Sequence, residues 1–171
     1  LVFAHCDLLS GNIIVQPRSK SDPNATLAVS FIDYEYATPS PAAFDIANHF
    51  AEWGGFECDY HQLPTRSQRI NFIHEYIGSY YRHTKQESSL EDWKTETNRL
   101  AAEVDDFRGI PGLYWGVWAL IQAKISQIDF DYASYAEIRL DEYWAWRAEN
   151  DGSRKASQKE LPLREARWAE N

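Results

Sequence analysis

Three residues near the start of the chain have the types and spacing to move a phosphoryl group. Asp7 and Asn12 stand five apart in the polar run His5-Cys6-Asp7-Leu8-Leu9-Ser10-Gly11-Asn12, and Asp33 follows in Phe31-Ile32-Asp33-Tyr34-Glu35 after a strand, a loop and a strand. Phosphoryl transfer needs an acceptor-only carboxylate beside the attacking hydroxyl, and Asp7 fits that role. It also needs oxygen ligands for the Mg²⁺ ions that bridge the ATP phosphates, and a hairpin would bring Asn12 and Asp33 side by side to supply them. H-x-D alone is a weak signal, whereas H-x-D-x-x-x-x-N followed by a strand ending in Ile32-Asp33 is specific. The plainer explanation of these residues is turn and cap chemistry, because Asp and Asn are common in loops; three of them at this spacing make it the minority view. His5 is assigned a structural role, hydrogen-bonding the loop backbone.

The elements that must position these residues read as an α-rich α+β plan. Leu1 to Ala4 is a short apolar strand. Ile13–Val15 and Leu27–Ile32 are expected to pair as a hairpin whose long tip, residues 16–26, is rich in Pro, Ser, Asp and Asn. Beyond Ala37 the period becomes helical. A first helix over 41–53 takes Ser40 as N-cap and Pro41 at its first position, with Phe44, Ala47, Phe50 and Ala51 on one face. A second over 67–83 carries the stripe Ile70, Ile73, Ile77 and Tyr80. A third begins at Ser88, with Glu91 completing a capping box, and ends at Gly109, Pro111 and Gly112. A fourth and a fifth follow over about 113–128 and 133–149. The chain is expected to divide into one unit over 1–150 and a polar tail over 151–171, solvated or a frayed helix.

Composition narrows the partners. With 171 residues and 44% apolar content the chain buries a sizeable core and is not disordered. Lysine and arginine number 17 against 26 acids, a formal charge of −9 that disfavours nucleic acid and anionic membrane and suits a small cation. Cys6 and Cys58 have no metal-ligand spacing, so a reducing, cytoplasmic location is expected. No run of eighteen apolar residues occurs, so no membrane insertion is expected. Asn24-Ala25-Thr26 matches a glycosylation acceptor, discounted without a secretory signal. The chain has no methionine and opens inside a strand, which suggests a fragment of a longer protein.

On these motifs the chain resembles the protein-kinase-like fold and, within it, the choline/ethanolamine kinase family. The resemblance is carried by Asp33-Tyr34-Glu35-Tyr36, where protein kinases have D-F-G, by Phe44-Asp45-Ile46-Ala47-Asn48-His49-Phe50-Ala51-Glu52-Trp53, and by Leu113 to Lys124 (LYWGVWALIQAK). These segments cover most of residues 1–146, and the match is most similar to fungal-type ethanolamine kinases. The resemblance implies a helix-rich C-terminal lobe with a short hairpin bearing the catalytic loop. It makes Asp7 the catalytic base, Asn12 and Asp33 the Mg²⁺ ligands, and Asp45 a brace for the catalytic loop. Glu35 and Glu52 would add negative charge near the metal or the amine. Tyr36, Trp115, Trp118, Phe130 and Tyr135 would surround the cationic head of the substrate. ATP and Mg²⁺ are implied as co-substrate and cofactor, a small amino alcohol as acceptor, and phosphatidylethanolamine synthesis as the setting; a homodimer is compatible with it.

Three departures stand out. Cys6 replaces the Asn that many relatives carry, the family's Tyr near the end of the substrate loop has no clean match in Gly54-Gly55-Phe56-Glu57, and no Gly-rich loop or strand-borne Lys precedes His5. The last implies that the N-terminal lobe is absent and must be supplied in cis. The leading reading is thus phosphorylation of ethanolamine, with choline as the near alternative. A truncated, non-catalytic ammonium-binding module is a second, and an aminoglycoside-phosphotransferase relative, which explains Glu52, Trp115 and Trp118 less well, a third. Aromatics at helical spacing are usually core, and Trp93, Trp144 and Trp146 are assigned there. Trp115 and Trp118, three apart, are expected to face one pocket. Asn48 and His49 are expected to be helix-face or core polar residues, and Glu52, on an apolar helix face, to need an amine or a metal-bound water as partner.

Overall fold

The computed structural model describes residues 1–16 and 27–171. The hairpin tip from Pro17 to Thr26, with its Asn24 acceptor motif, lies outside the described residues. Two small antiparallel ribbons open the fold. β2 (Ile13–Val15) pairs with β3 (Val29–Phe31), Ile13 opposite Phe31 and Val15 opposite Val29, as the β-branched runs anticipated. β1 (Val2–Ala4) pairs with β4 (Thr38–Ser40), a strand the sequence hid, because Pro39 has no N–H to give a ladder and reads as turn. Ser40 is therefore engaged opposite Val2 rather than capping a helix. The first helix, α1 (Ala42–Ala51), starts one residue later than expected, with Pro41 at the cap position and no side-chain cap.

The remaining chain is helical: α2 (Arg66–Thr84), α3 (Leu90–Phe107), α4 (Ile110–Ile125), α5 (Tyr132–Asn150), a single turn α6 (Ser153–Ala156) and α7 (Leu163–Ala169). The capping box of α3 is built by Ser89 and Asp92, one residue beyond the expected Ser88 and Glu91. The serines are adjacent and both are followed by an acid at the third place, so spacing alone does not choose between them. Pro111 begins α4 rather than ending α3, since its missing N–H is harmless in a first helical turn.

The main core gathers Phe50 from α1, Ile73 and Ile77 from α2, Leu100 and Val104 from α3, and Trp168 from α7. The last of these corrects the expected polar tail: Trp168, Arg164 and Glu165 are all buried. The Arg69 guanidinium stacks 3.9 Å over the Trp168 ring and donates to its carbonyl at 2.9 Å. A single tryptophan in a charged segment suffices to dock it, because its buried area is large and the charges find partners inside. Trp144 is corrected the other way. It is 61% exposed, since Glu142 and Trp146, which face inward, lie two positions to either side of it and so point to nearly the opposite face of α5. Trp146 is buried and Trp93 packs at the margin of the core.

α4 and α5 touch through glycine. A Cβ on Gly112 would stand 2.5 Å from the Arg139 carbonyl oxygen, and one on Gly116 would stand 2.7 Å from Leu140 Cγ. The Gly112 obstacle is backbone and cannot rotate away. Gly112→Ala is thus expected to force the helices apart and destabilise the fold by about 1–3 kcal/mol, read as a lower urea midpoint; an unchanged midpoint would show that the pair is loosely packed.

Candidate active site

Residues 5–8 are fastened by one face of one helix. Asp45, Asn48 and His49 stand at i, i+3 and i+4 on α1, so their side chains project together. The Asp45 carboxylate accepts the His5 amide at 3.0 Å and the Cys6 amide at 2.8 Å, one on each oxygen. Asn48 donates to the Cys6 carbonyl at 3.0 Å. His49 Nδ1 lies 2.7 Å from the Leu8 carbonyl, and Trp53 donates to its Nε2 at 3.2 Å, which makes Nδ1 the protonated nitrogen of a neutral ring. Burial pushes the His49 pKa down, in keeping with that neutral form. The His5 ring sits 2.9 Å from the Ile32 carbonyl and ties the loop to the strand leading into Asp33. Asn48 and His49, expected only as polar helix residues, are therefore loop holders; the signal was their spacing from Asp45.

Two of the residues held here have left-handed backbone: Cys6 at φ 62° and Asp33 at φ 66°. Asn and Gly adopt this region more easily than Cys, so the fastening must hold Cys6 against its own preference. Asn48 is fully buried and also accepts from Trp115 Nε1 at 2.8 Å. Asn48→Ala is expected to orphan the Cys6 carbonyl and the Trp115 N–H, each costing about 1–3 kcal/mol. Urea denaturation would measure the loss, and Trp115 indole exchange with solvent would locate it.

Asp7 is buried at the bottom of this loop. Loss of hydration, then the nearby Glu52 charge, push its carboxyl up to about 6. Near neutrality it remains mostly a carboxylate, a base whose affinity for a proton is raised toward the working range. Asn12 donates through Nδ2 to the Asp7 carbonyl at 2.8 Å and to its Oδ2 at 3.2 Å. That orientation leaves the Asn12 amide oxygen for another partner. The Ile32 amide donates to the Asn12 carbonyl at 3.1 Å, so Asp33 emerges beside Asn12 with its carboxylate exposed. An amide oxygen and an open carboxylate suit a hard cation such as Mg²⁺, which takes oxygen ligands and completes its shell with water and substrate phosphate. Among the described residues no group of three or more His, Cys, Asp or Glu forms a metal cage, and such a shared site needs none.

Beside Asp7 opens a cavity of about 110 Å³, continuous with solvent, walled by Asp7, Leu9, Glu35, Tyr36, Glu52, Phe56, Trp115, Trp118 and Tyr135. Its indole N–H groups are spoken for elsewhere, and its two tyrosine hydroxyls are engaged as acceptors. Trp118 Nε1 donates to the Tyr36 hydroxyl at 2.9 Å, and the Tyr135 hydroxyl accepts from Arg139 at 3.0 Å. Trp115 meets Tyr36 and Trp118 edge to face at 5.5 Å each. What the wall offers a ligand is therefore ring surface, carboxylate and two tyrosine hydroxyls, and ring faces with carboxylate are the surroundings of an alkylammonium. Phe130 is not on the wall; it packs behind it on Phe56 and Tyr135 at 5.9 and 5.7 Å. Phe56, at the place where the sequence has no match to the family's Tyr, supplies a ring to the wall. Glu52 has a partner within the protein, not the amine or metal-bound water expected of it. Arg139, 1% exposed on α5, holds it at 3.1 Å. Arg139 was missed because a charged residue in a charged helix carries no periodic signal, although it stands four after Tyr135 on the same face.

Known proteins resemble this chain over most of its length. The family described as choline/ethanolamine kinase matches residues 1–144. The chain is similar to the probable ethanolamine kinase A of Dictyostelium discoideum, 39% identical across 86% of this chain and 38% of that protein. It is also similar to mouse choline kinase alpha, 33% identical across 84% and 33% of the two chains. The solved structure of an ethanolamine kinase from Plasmodium vivax superposes with a TM-score of 0.66 at 35% identity, over 83% of this chain and 33% of that one. The fold is thus kinase-like, and the chain spans well under half the length of the relatives it matches. No helix among the described residues is long and apolar enough to cross a membrane. With the catalytic-loop signature, the ring-lined cavity and the family match all falling on the same residues, the chain belongs to the choline/ethanolamine kinase family.

Proposed function

We propose that a protein carrying this chain transfers the terminal phosphoryl group of ATP to the hydroxyl of ethanolamine, giving phosphoethanolamine and ADP for phosphatidylethanolamine synthesis. The observation that carries the reading is the joining of three carboxylates and five aromatic rings in one cavity whose wall includes Asp7. The ammonium end lies against the rings with Glu35 and Glu52 close by, which leaves the hydroxyl end for Asp7. Asp7 orients that hydroxyl and takes its proton as the new oxygen–phosphorus bond forms and the bond to the ADP oxygen breaks. Asn12 and Asp33 would hold Mg²⁺, which when bound neutralises charge developing on the phosphates. His5, Asp45, Asn48 and His49 keep the loop in place.

Choline shares the hydroxyethyl ammonium unit, and mouse choline kinase alpha is among the similar proteins. A trimethylammonium asks only for ring faces and charge, whereas a primary ammonium asks for acceptors. The carboxylates on the wall favour the primary amine. An ATP-coupled assay of ethanolamine and choline, on this chain and on one extended upstream, each beside its Asp7→Ala variant, tests the proposal. Asp7-dependent turnover with higher kcat/KM for ethanolamine is the expected result. A folded, extended protein that binds amines and never turns over would instead support a non-catalytic ammonium-binding module.

A further inference from the structure

Buried charge runs in an unbroken line from the cavity to the C-terminal helix. Arg139 reaches Glu52 at 3.1 Å and Glu142 at 3.3 Å. Arg164 lies 3.6 Å from the same Glu142 oxygen and 3.2 Å from Glu165, and Arg108 closes the line 3.0 Å from Glu165. The signs alternate throughout, three acids with three bases. Glu52, Arg139, Glu142, Arg164 and Glu165 are each no more than 8% exposed, so water compensates little if one is lost. Arg164 and Glu165 lie beyond residue 144, where the family match ends.

We infer that Arg164 is a positioning residue for the amine site: by neutralising Glu142 it leaves Arg139 to hold Glu52 as a fixed, ionised carboxylate on the cavity wall. The inference rests on the amine-pocket reading above. Without Arg164, Arg139 is divided between two buried carboxylates, and a low-dielectric site with excess negative charge takes up a proton. Burial already pushes the Glu52 pKa up, Arg139 opposes it and the Glu142 charge adds to it, and we assign the added proton to Glu52, the end of the line that opens on the cavity. The other groups facing Glu52 are Asp7 from the catalytic loop, Cys58 from the segment after α1 and Tyr135 from α5; Arg139 is the cation among them. Protonated, Glu52 no longer offers charge to an ammonium.

Two substitutions with opposite signs separate this from mere packing. Arg164→Met leaves three acids to two bases and is expected to raise the ethanolamine KM of the extended protein about tenfold at pH 6.5. The ATP KM should stay unchanged, and the deficit should shrink as pH is raised and Glu52 ionises. Glu142→Gln leaves the excess on the positive side, keeps Glu52 ionised and should show no such rise. The double variant splits the line into two neutral pairs, Glu52 with Arg139 and Glu165 with Arg108, and should return to within about threefold of the parent. In parallel, the Glu52 carboxyl carbon resonance of this chain should titrate higher in Arg164→Met, lower in Glu142→Gln and near the parent in the double variant. An Arg164→Met protein with the parent's KM and titration would overturn the inference, as would a double variant no better than Arg164→Met. If Arg164→Met does not fold, the downward shift in Glu142→Gln and its reversal in the double variant decide. An extended parent that turns over no amine would sink the functional proposal alone, since the Glu52 titration still decides the role of Arg164.

Discussion

Asp7→Asn, made in the protein extended upstream, lowers kcat for the amine by about 10²–10⁴-fold and leaves the protein no less stable. The two halves of this expectation have one cause. Asp7 is held where its charge is poorly hydrated and faces Glu52, which raises its pKa to about 6. A carboxyl whose folded pKa lies above its unfolded value costs stability as pH rises through that interval, and the cost is complete above about 6. Asparagine removes the charge and keeps an oxygen for Asn12, which donates to Asp7 Oδ2 at 3.2 Å. What it cannot do is accept the hydroxyl proton. In metal-free solution the Asp7 carboxyl carbon of this chain should titrate with a midpoint at about pH 6. A midpoint in the ordinary carboxylate range, or a loss of stability that parallels the loss of rate, would show Asp7 to be a structural loop residue.

Asp45→Ala destabilises the fold by about 3–6 kcal/mol, from two charge-assisted hydrogen bonds at about 1.5–3 kcal/mol each. The His5 and Cys6 amides each lose their carboxylate oxygen, and Cys6 is then left in a left-handed conformation with less to hold it there. Asp45→Asn should rescue little, because one of its two polar atoms becomes a donor facing an N–H donor. Urea denaturation measures the loss, and faster hydrogen exchange at the His5 and Cys6 amides identifies its place. An Asn variant as stable as the parent would mean that a single oxygen suffices for both amides.

The parts of this molecule that depend on local chemistry are legible in its sequence. The hairpin of β2 and β3 follows from two β-branched runs, and the helices follow from apolar stripes and caps, with starts displaced by a residue or more where a neighbouring strand or proline competed. The Asp7, Asn12 and Asp33 signature is local in the same sense: a loop and a strand pair suffice to bring its members near one another. Strand β4 escaped because Pro39 disguises it. The docked C-terminal helix escaped because Trp168 alone marks it as inward-facing.

By itself, then, the sequence determined the fold class, the order of β1 to β3 and of helices α1 to α5, and the Asp7, Asn12 and Asp33 motif, since each depends on propensities and spacings within a few tens of residues. Tertiary structure alone decided which charges are buried and with whom. Glu52 looks outward for a cation and finds Arg139, 87 positions along the chain; Arg164, in a segment that reads as solvent-exposed, is 2% exposed against Glu142 and Glu165. No periodicity announces such pairs, because the energy of a buried charge is set by what lies within a few ångströms in space, and helices α1, α5 and α7 meet there only when the whole fold has closed.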